Sequence, residues 1–202
     1  MKYINQLEYP DISYVTRYEL EGEDKEKGKT TTVRSSGCGL CSAIMVLDRL
    51  VPNAEFSLEE AVQLSYSCEA NHRRGTDYKR FAPKFAEKFG LELKMTNDPE
   101  KLRDCLRTGG AAVIHIKGDR DGHIGVFSHG GHYSAAISEE RDGRIAVLDP
   151  SYKEGKYEEE GRKGLVEMKN DFIAICDMQV IVDDTAPADP SFYLFWRKSS
   201  CC

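Results

Sequence analysis

The sequence predicts an α+β fold, with helices from the N-terminal half packed on an antiparallel sheet from the C-terminal half. Two observations carry this. Capped helical patterns concentrate before Gly109-Gly110, and apolar strand-like runs concentrate after it. Two of those runs, His132 to Ile137 and Arg144 to Leu148, flank the turn signal Asp142-Gly143 and read as a hairpin. The chain has 202 residues, an ordinary size for one domain. It is read as a single domain over 1–202, with 1–30 as an extended arm and a charged loop.

The formal charge is -6 and no long basic stripe occurs, so nucleic acid is not an expected partner. The longest apolar runs, such as Ala43 to Leu47, are far too short to span a bilayer. Met1 to Gln6 lacks the apolar stretch of a secretory signal. Seven cysteines are an odd number without framework spacing, so reduced thiols in the cytoplasm are expected. Cys201-Cys202 superficially resembles a doubly prenylated tail, but an exposed terminus is the plainer account. No cofactor or metal is expected, and the oligomeric state is left open.

In chain order, Tyr3, Tyr9, Tyr14 and Tyr18 with Pro10 suggest an arm packed on the domain. Glu21 to Lys29 reads as a solvated loop, and Thr30 to Val33 as a short strand. A central helix is expected from Cys38 to Leu50, with Ser36 or Gly37 at its N-cap and Pro52 closing it. Ser57-Leu58-Glu59-Glu60 is a capping box opening a second helix to about Cys68. Thr76 is placed as the cap of a third, with Tyr78, Phe81, Phe85 and Phe89 as its apolar stripe. Pro83 is a point where it would kink or split, and Gly90 ends it. Leu91 to Met95 suggests a strand. Asp98-Pro99-Glu100 starts a fourth helix. Ala111 to Ile116 then reads as a buried strand, and Asp119 to Gly131 as a polar loop. Beyond the hairpin, Tyr152 to Gly164 is a charged, Gly-rich loop or flap, expected to be mobile. Phe172 to Ile175 and Phe192 to Trp196 suggest late strands, with Gln179 to Asp183 ambiguous.

The chemistry centres on Cys38. A thiol in the first turn of a helix meets unpaired backbone N–H groups that favour its anion, which lowers its pKa below about 8.5. A nucleophilic cysteine also needs a base, and the base an orienting partner. If Ile137 faces Arg144 or Ile145, His132 falls opposite Asp149 or Pro150, within a couple of residues. A carboxylate beside a histidine sets its tautomer and stabilises its imidazolium. His129 is the competing base in the loop. His115 reads as a core histidine, and Cys68, Cys105 and Cys176 as packing residues.

Thr32-Val33-Arg34-Ser35-Ser36-Gly37-Cys38-Gly39, followed by Ala43 to Leu47, resembles the nucleophile helix of the C39-like cysteine peptidases. These are relatives of the bacteriocin-processing, double-glycine leader peptidases in the papain-like clan. Gly131-His132-Tyr133 and Leu148-Asp149-Pro150-Ser151 resemble the segments that carry the family's His and Asp. Gly75-Thr76 and Tyr193-Leu194-Phe195 are also similar to family features. The resemblance implies a papain-like fold, a peptide or protein substrate, Cys38 as nucleophile, His132 as base and then acid, and Asp149 as its orienter. It further implies that Gln6 helps hold the oxyanion. Where the family usually has Pro and a small polar residue after Cys-Gly, this chain has Leu40 and Cys41.

Two other readings stay open. One is a catalytically silent papain-like domain that binds a peptide. The other takes Cys38-Gly39-Leu40-Cys41 as a Cys-x-x-C redox motif. A zinc site built on those cysteines with His129 and His132 would need tetrahedral convergence.

Overall fold

Residues 1–16, 31–71 and 75–198 are described by the computed structural model. The expected charged loop at Glu21 to Lys29, Tyr18, and the Cys201-Cys202 pair lie outside them. The N-terminal arm is extended, apart from a short 3-10 turn at Gln6–Glu8, and Ser13 bridges to Thr32. Tyr14 is fully buried, so the arm packs on the domain as its aromatics suggest. Of the strand expected over Thr30 to Val33, Thr30 lies outside the described residues, and the part from Thr31 on is reduced to that bridge. From Val33 the chain coils into α1 (Val33–Ser36), where Thr32 N donates to Ser35 Oγ at 3.1 Å.

Gly37 alone separates α1 from α2 (Cys38–Leu50). Leu40, Met45, Val46 and Leu47 of α2 are essentially removed from solvent. Each contributes about 1.5–3 kcal/mol relative to exposure. α3 (Leu58–Ser67) opens on the Ser57/Glu60 capping box. α4 (Tyr78–Phe89) is capped by Asp77, whose side chain accepts from Lys79 N, and not by Thr76. It runs unbroken through Pro83 to Gly90 in the left-handed region. Tyr78, Phe81 and Phe85 are fully buried. At about 1.5–3 kcal/mol each, they offset the about 3 kcal/mol that an interior proline costs.

The remaining elements are β1 (Leu91–Thr96), α5 (Pro99–Arg107), β2 (Ala111–Ile116), β3 (His132–Glu139), β4 (Ile145–Leu148), β5 (Val166–Met168), β6 (Ile173–Cys176), α6 (Met178–Thr185) and β7 (Phe192–Arg197). The ambiguous Gln179 to Asp183 is therefore helical, and β5 is a strand that residue patterning did not mark. All seven strands form one antiparallel sheet in the order β1-β7-β2-β3-β4-β6-β5. The chain is thus α+β, as expected. Helices α2, α3 and α4 cover one face, against Ala111, Val113, Tyr133, Ala135 and Phe195. The other face is covered as well, by Leu102 and Leu106 of α5, Ile181 of α6, and Phe127 and Tyr157 from loops. No helix among the described residues is long and apolar enough to cross a membrane.

The β3–β4 hairpin pairs Ala135 with Leu148 and Glu139 with Ile145, with a bulge between Ala136 and Ser138. Ile137 sits in that bulge, so the ladder is offset slightly from the register inferred above. The offset leaves His132 and Asp149 at the same open end of the hairpin.

Candidate active site

Cys38 is the first residue of α2, and Cys41 N makes the first helical bond, 2.9 Å to Gly37 O. Its thiol therefore sits among the unpaired N–H groups of a helix N-terminus. The backbone there needs glycine. A Cβ on Gly37 would lie 2.6 Å from Val33 O, and one on Gly39 would lie 3.2 Å from Thr76 Cβ and 3.3 Å from Tyr133 Cδ2. Cys38 itself is partly exposed and lines a cleft of about 560 Å³. Thr76 and Asp77 before α4, His115 of β2, and His132 and Tyr133 of β3 contribute to its walls.

His132 opens β3 and Asp149 directly follows β4. His132 Nε2 lies 2.9 Å from Asp149 Oδ1, with the side chains 5% and 1% exposed. The His132 ring also lies close enough to the Cys38 thiol for each to shift the other's titration. Nε2 being engaged by Asp149, Nδ1 is the nitrogen left for the sulfur. Burial pushes the Cys38 thiol up, but the His132 ring and the backbone N–H groups of Tyr133 and Gly39 outweigh it and hold the thiol below its ordinary value. Burial works against a charged His132, yet Asp149 and then Cys38 raise it to about 9. Asp149 is held far below the usual carboxylate range: burial opposes this, and the Lys156 ammonium and the His132 ring overcome it. The three groups favour a thiolate–imidazolium pair steadied by a carboxylate.

Asp149 is held on every side. Oδ1 also accepts from Ser151 N at 2.9 Å and Ser151 Oγ at 3.1 Å. Oδ2 accepts from Lys156 Nζ, and from Tyr157 Oη at 2.8 Å. Tyr3 Oη donates to the Asp149 carbonyl at 2.8 Å, and Gln6 N to Pro150 O at 2.7 Å. Lys156, Tyr157 and Arg162 are 4%, 3% and 2% exposed, which corrects the expectation that the Lys153 to Gly164 run is a solvated loop throughout. A 3-10 turn at Lys156–Glu158 delivers the first two, and Arg162 Nε ties the segment to Gly125 O at 2.9 Å. No residue pattern marked Lys156 or Tyr157: they sit in a charge run in which Lys153, Glu154, Glu158, Glu160 and Lys163 are exposed.

Gln6 is buried, and its Nε2 donates to Arg34 O at 2.9 Å. It lies between the Arg34 turn that leads to Cys38 and the Pro150 backbone that follows Asp149, with Oε1 unpartnered. Tyr14 Oη, on the same arm, bonds Ser65 Oγ and Thr76 Oγ1, each at 2.8 Å. The arm thereby braces both the triad and one cleft wall.

The alternatives fare differently. His129 is exposed and pairs with Asp119, Nδ1 to Oδ2 at 2.9 Å, with Glu159 3.6 Å from its Nε2. It is not a partner of Cys38. Cys41 is fully buried, and burial pushes its thiol well up. Leu40 and Cys41 both point into the core and stay out of the cleft lining. Cys38, Cys41, Cys68, Cys105 and Cys176 are free thiols. No cluster of His, Cys, Asp or Glu among the described residues is arranged to hold a metal ion. His115 stacks on Tyr133 with ring centres 4.6 Å apart and borders the cleft; burial lowers it to about 4 and keeps it neutral.

No known family model matches this chain, and no curated protein sequence matches it.

Proposed function

We propose that this chain is a cysteine peptidase of papain-like type, acting on a peptide or protein substrate through Cys38, His132 and Asp149. The observation that carries the reading is the buried His132 ring, held between the Cys38 thiol and Asp149 Oδ1 at 2.9 Å, beside an open cleft. In the proposed cycle, the Cys38 thiolate attacks the scissile carbonyl. The His132 imidazolium then gives its proton to the leaving amine, and a thioester remains on Cys38. Neutral His132 next takes a proton from water, which attacks the thioester, and the acid product leaves with the thiol restored. The oxyanion would be met by the N–H of Cys38 at the start of α2. Gln6 is the candidate second donor, since its amide has one N–H beyond that used on Arg34 O. The five free thiols among the described residues support a reducing compartment, for which the cytoplasm is the proposal.

The test is labelling and turnover together. A thiol-directed acyl probe should label the wild-type chain and Cys41→Ala but not Cys38→Ala, and a peptide library should be cleaved only by the first two. A Cys38 that titrates as a free thiol, with no cleavage of any peptide, would leave a silent peptide-binding domain in place of the enzyme. Label on Cys41 alone would remove the triad.

A further inference from the structure

We propose that Lys156 is a positioning residue that tunes the proton affinity of His132 by sharing the Asp149 carboxylate with it. This rests on the reading of Cys38, His132 and Asp149 as a reacting unit, and adds to that unit a fourth, buried, charged member.

The geometry is specific. Lys156 Nζ donates to Asp149 Oδ2, and to Ser151 Oγ at 2.9 Å. The same Ser151 Oγ is 3.3 Å from His132 Nε2. One hydroxyl thus touches both cationic nitrogens, which places them within the reach, about 4–6 Å, over which like charges raise the cost of one another. Lys156 is 4% exposed, so solvent and salt screen little of this. Its neighbours Lys153 and Lys163 are exposed, which singles Lys156 out from the charge run. Arg162 holds it in place, with Nη1 on Lys156 O at 3.5 Å.

The chemical consequence follows from how a triad divides its protons. A buried carboxylate with imidazolium as its only cationic partner stabilises the imidazolium strongly. Such a histidine is slow to give its proton to a leaving amine, and slow to become the base that activates water. A second cation on Oδ2 takes up part of the negative charge and repels the imidazolium. Lys156 thereby holds His132 lower than Asp149 alone would. The other groups facing this cluster are Cys38 and, behind it, Cys41 from α2. Tyr3 faces it from the arm, Tyr152 and Tyr157 from the segment after β4, and Cys176 of β6 faces Tyr157. Besides His132 itself, Lys156 is the basic side chain among the described residues in contact with the carboxylate.

The test is the titration of His132 by NMR of histidine-labelled full-length protein, in wild type, Lys156→Gln and Lys156→Arg. The glutamine retains a donor for Oδ2 and removes the charge. The expected result is that His132 titrates about 1 pH unit higher in Lys156→Gln than in wild type, and close to wild type in Lys156→Arg. An unchanged or lowered His132 in Lys156→Gln would overturn the proposal, as would equal shifts in both variants. Lys156→Met is read in the same way if the glutamine form does not fold. Failure of both neutral variants to fold, with Lys156→Arg folded, would make Lys156 a fold-stabilising residue only and also overturn it. A companion measurement separates the two readings. If wild-type Cys38 reacts with iodoacetamide with the pH dependence of a free thiol, the peptidase reading falls, while the His132 titration still decides the role of Lys156.

Discussion

His132 Nε2 meets Asp149 Oδ1 at 2.9 Å across the open end of the β3–β4 hairpin, and both side chains are almost wholly out of water. A charge placed there is unscreened. Asp149 is therefore stable only because cations and N–H or O–H donors surround it, and those partners in turn depend on Asp149.

The first prediction removes the carboxylate. Asp149→Leu leaves Lys156 buried without its anion, and stripping one partner from a buried pair costs about 3–5 kcal/mol. On the proposed mechanism, turnover should fall by about 10²–10⁴-fold as His132 loses its orienter. The double variant Asp149→Leu/Lys156→Met should recover much of the stability and none of the turnover. Urea denaturation beside peptide cleavage checks both. A single variant as stable as wild type would contradict the buried-pair account.

The second concerns pH. In the intact site Cys38 is lowered and His132 raised, so the pair exchanges one proton internally, and folded and unfolded chains bind similar numbers of protons near neutrality. Cys38→Ala uncovers the histidine. Burial then lowers it and the Asp149 hydrogen bond raises it; the prediction is that Asp149 prevails over burial, so that the folded state binds a proton which the unfolded chain, with its value of about 6.5, releases. The stability this contributes is fully present below about pH 6.5 and is lost as pH rises through the folded value, which lies below the about 9 of the intact site. Cys38→Ala should thus be more stable at pH 6 than at pH 8. Equal stability at both, by chemical denaturation, would count against the Asp149–His132 coupling.

A third prediction tests the helix junction. Gly37→Ala drives a Cβ to 2.6 Å from both Val33 O and Val33 Cγ1, and backbone on both sides must move. The cost should be about 1–3 kcal/mol, with Cys38 shifted from its place beside His132. Slower alkylation of Cys38 near neutral pH, alongside a lower unfolding midpoint, is the expected pair of readouts. Unaltered alkylation would show that the junction is not what positions the thiol.

The fourth concerns the arm. Tyr14→Phe deletes the hydroxyl that bonds Ser65 and Thr76. Each lost hydrogen bond is worth about 0.5–1.5 kcal/mol. Because Thr76 forms a cleft wall, KM for peptide should rise more than kcat falls. A purely structural loss, with KM unmoved, would separate the arm from the cleft.

Much of this molecule was legible in local pattern. α2 begins at Cys38 and ends at Leu50 because an apolar helical run there is bounded by Gly37 and Pro52. The Ser57/Glu60 box and Asp98-Pro99 mark helix starts through bonds made within one turn. The hairpin register was legible to within a bulge, which brought His132 and Asp149 to one end on spacing alone. Where local pattern misled, a long-range contact prevailed. Pro83 stays helical because a buried aromatic stripe packs α4 on either side of it, and Val33, itself fully buried, opens a helical turn where a strand was expected.

The sequence by itself determined the class of the fold, the place of Cys38 at a helix start and that of His132 and Asp149 at one end of a hairpin, because caps, periodicity and a tight turn act between near neighbours. Tertiary structure alone decided what surrounds Asp149. Tyr3 reaches it from the far end of the chain, and Lys156 and Tyr157 from a segment whose charges read as solvated. A lysine carries no local sign of burial. Only the Asp149 carboxylate and the hydroxyl and carbonyl oxygens of Ser151, assembled around it by the fold, make an ammonium tolerable there.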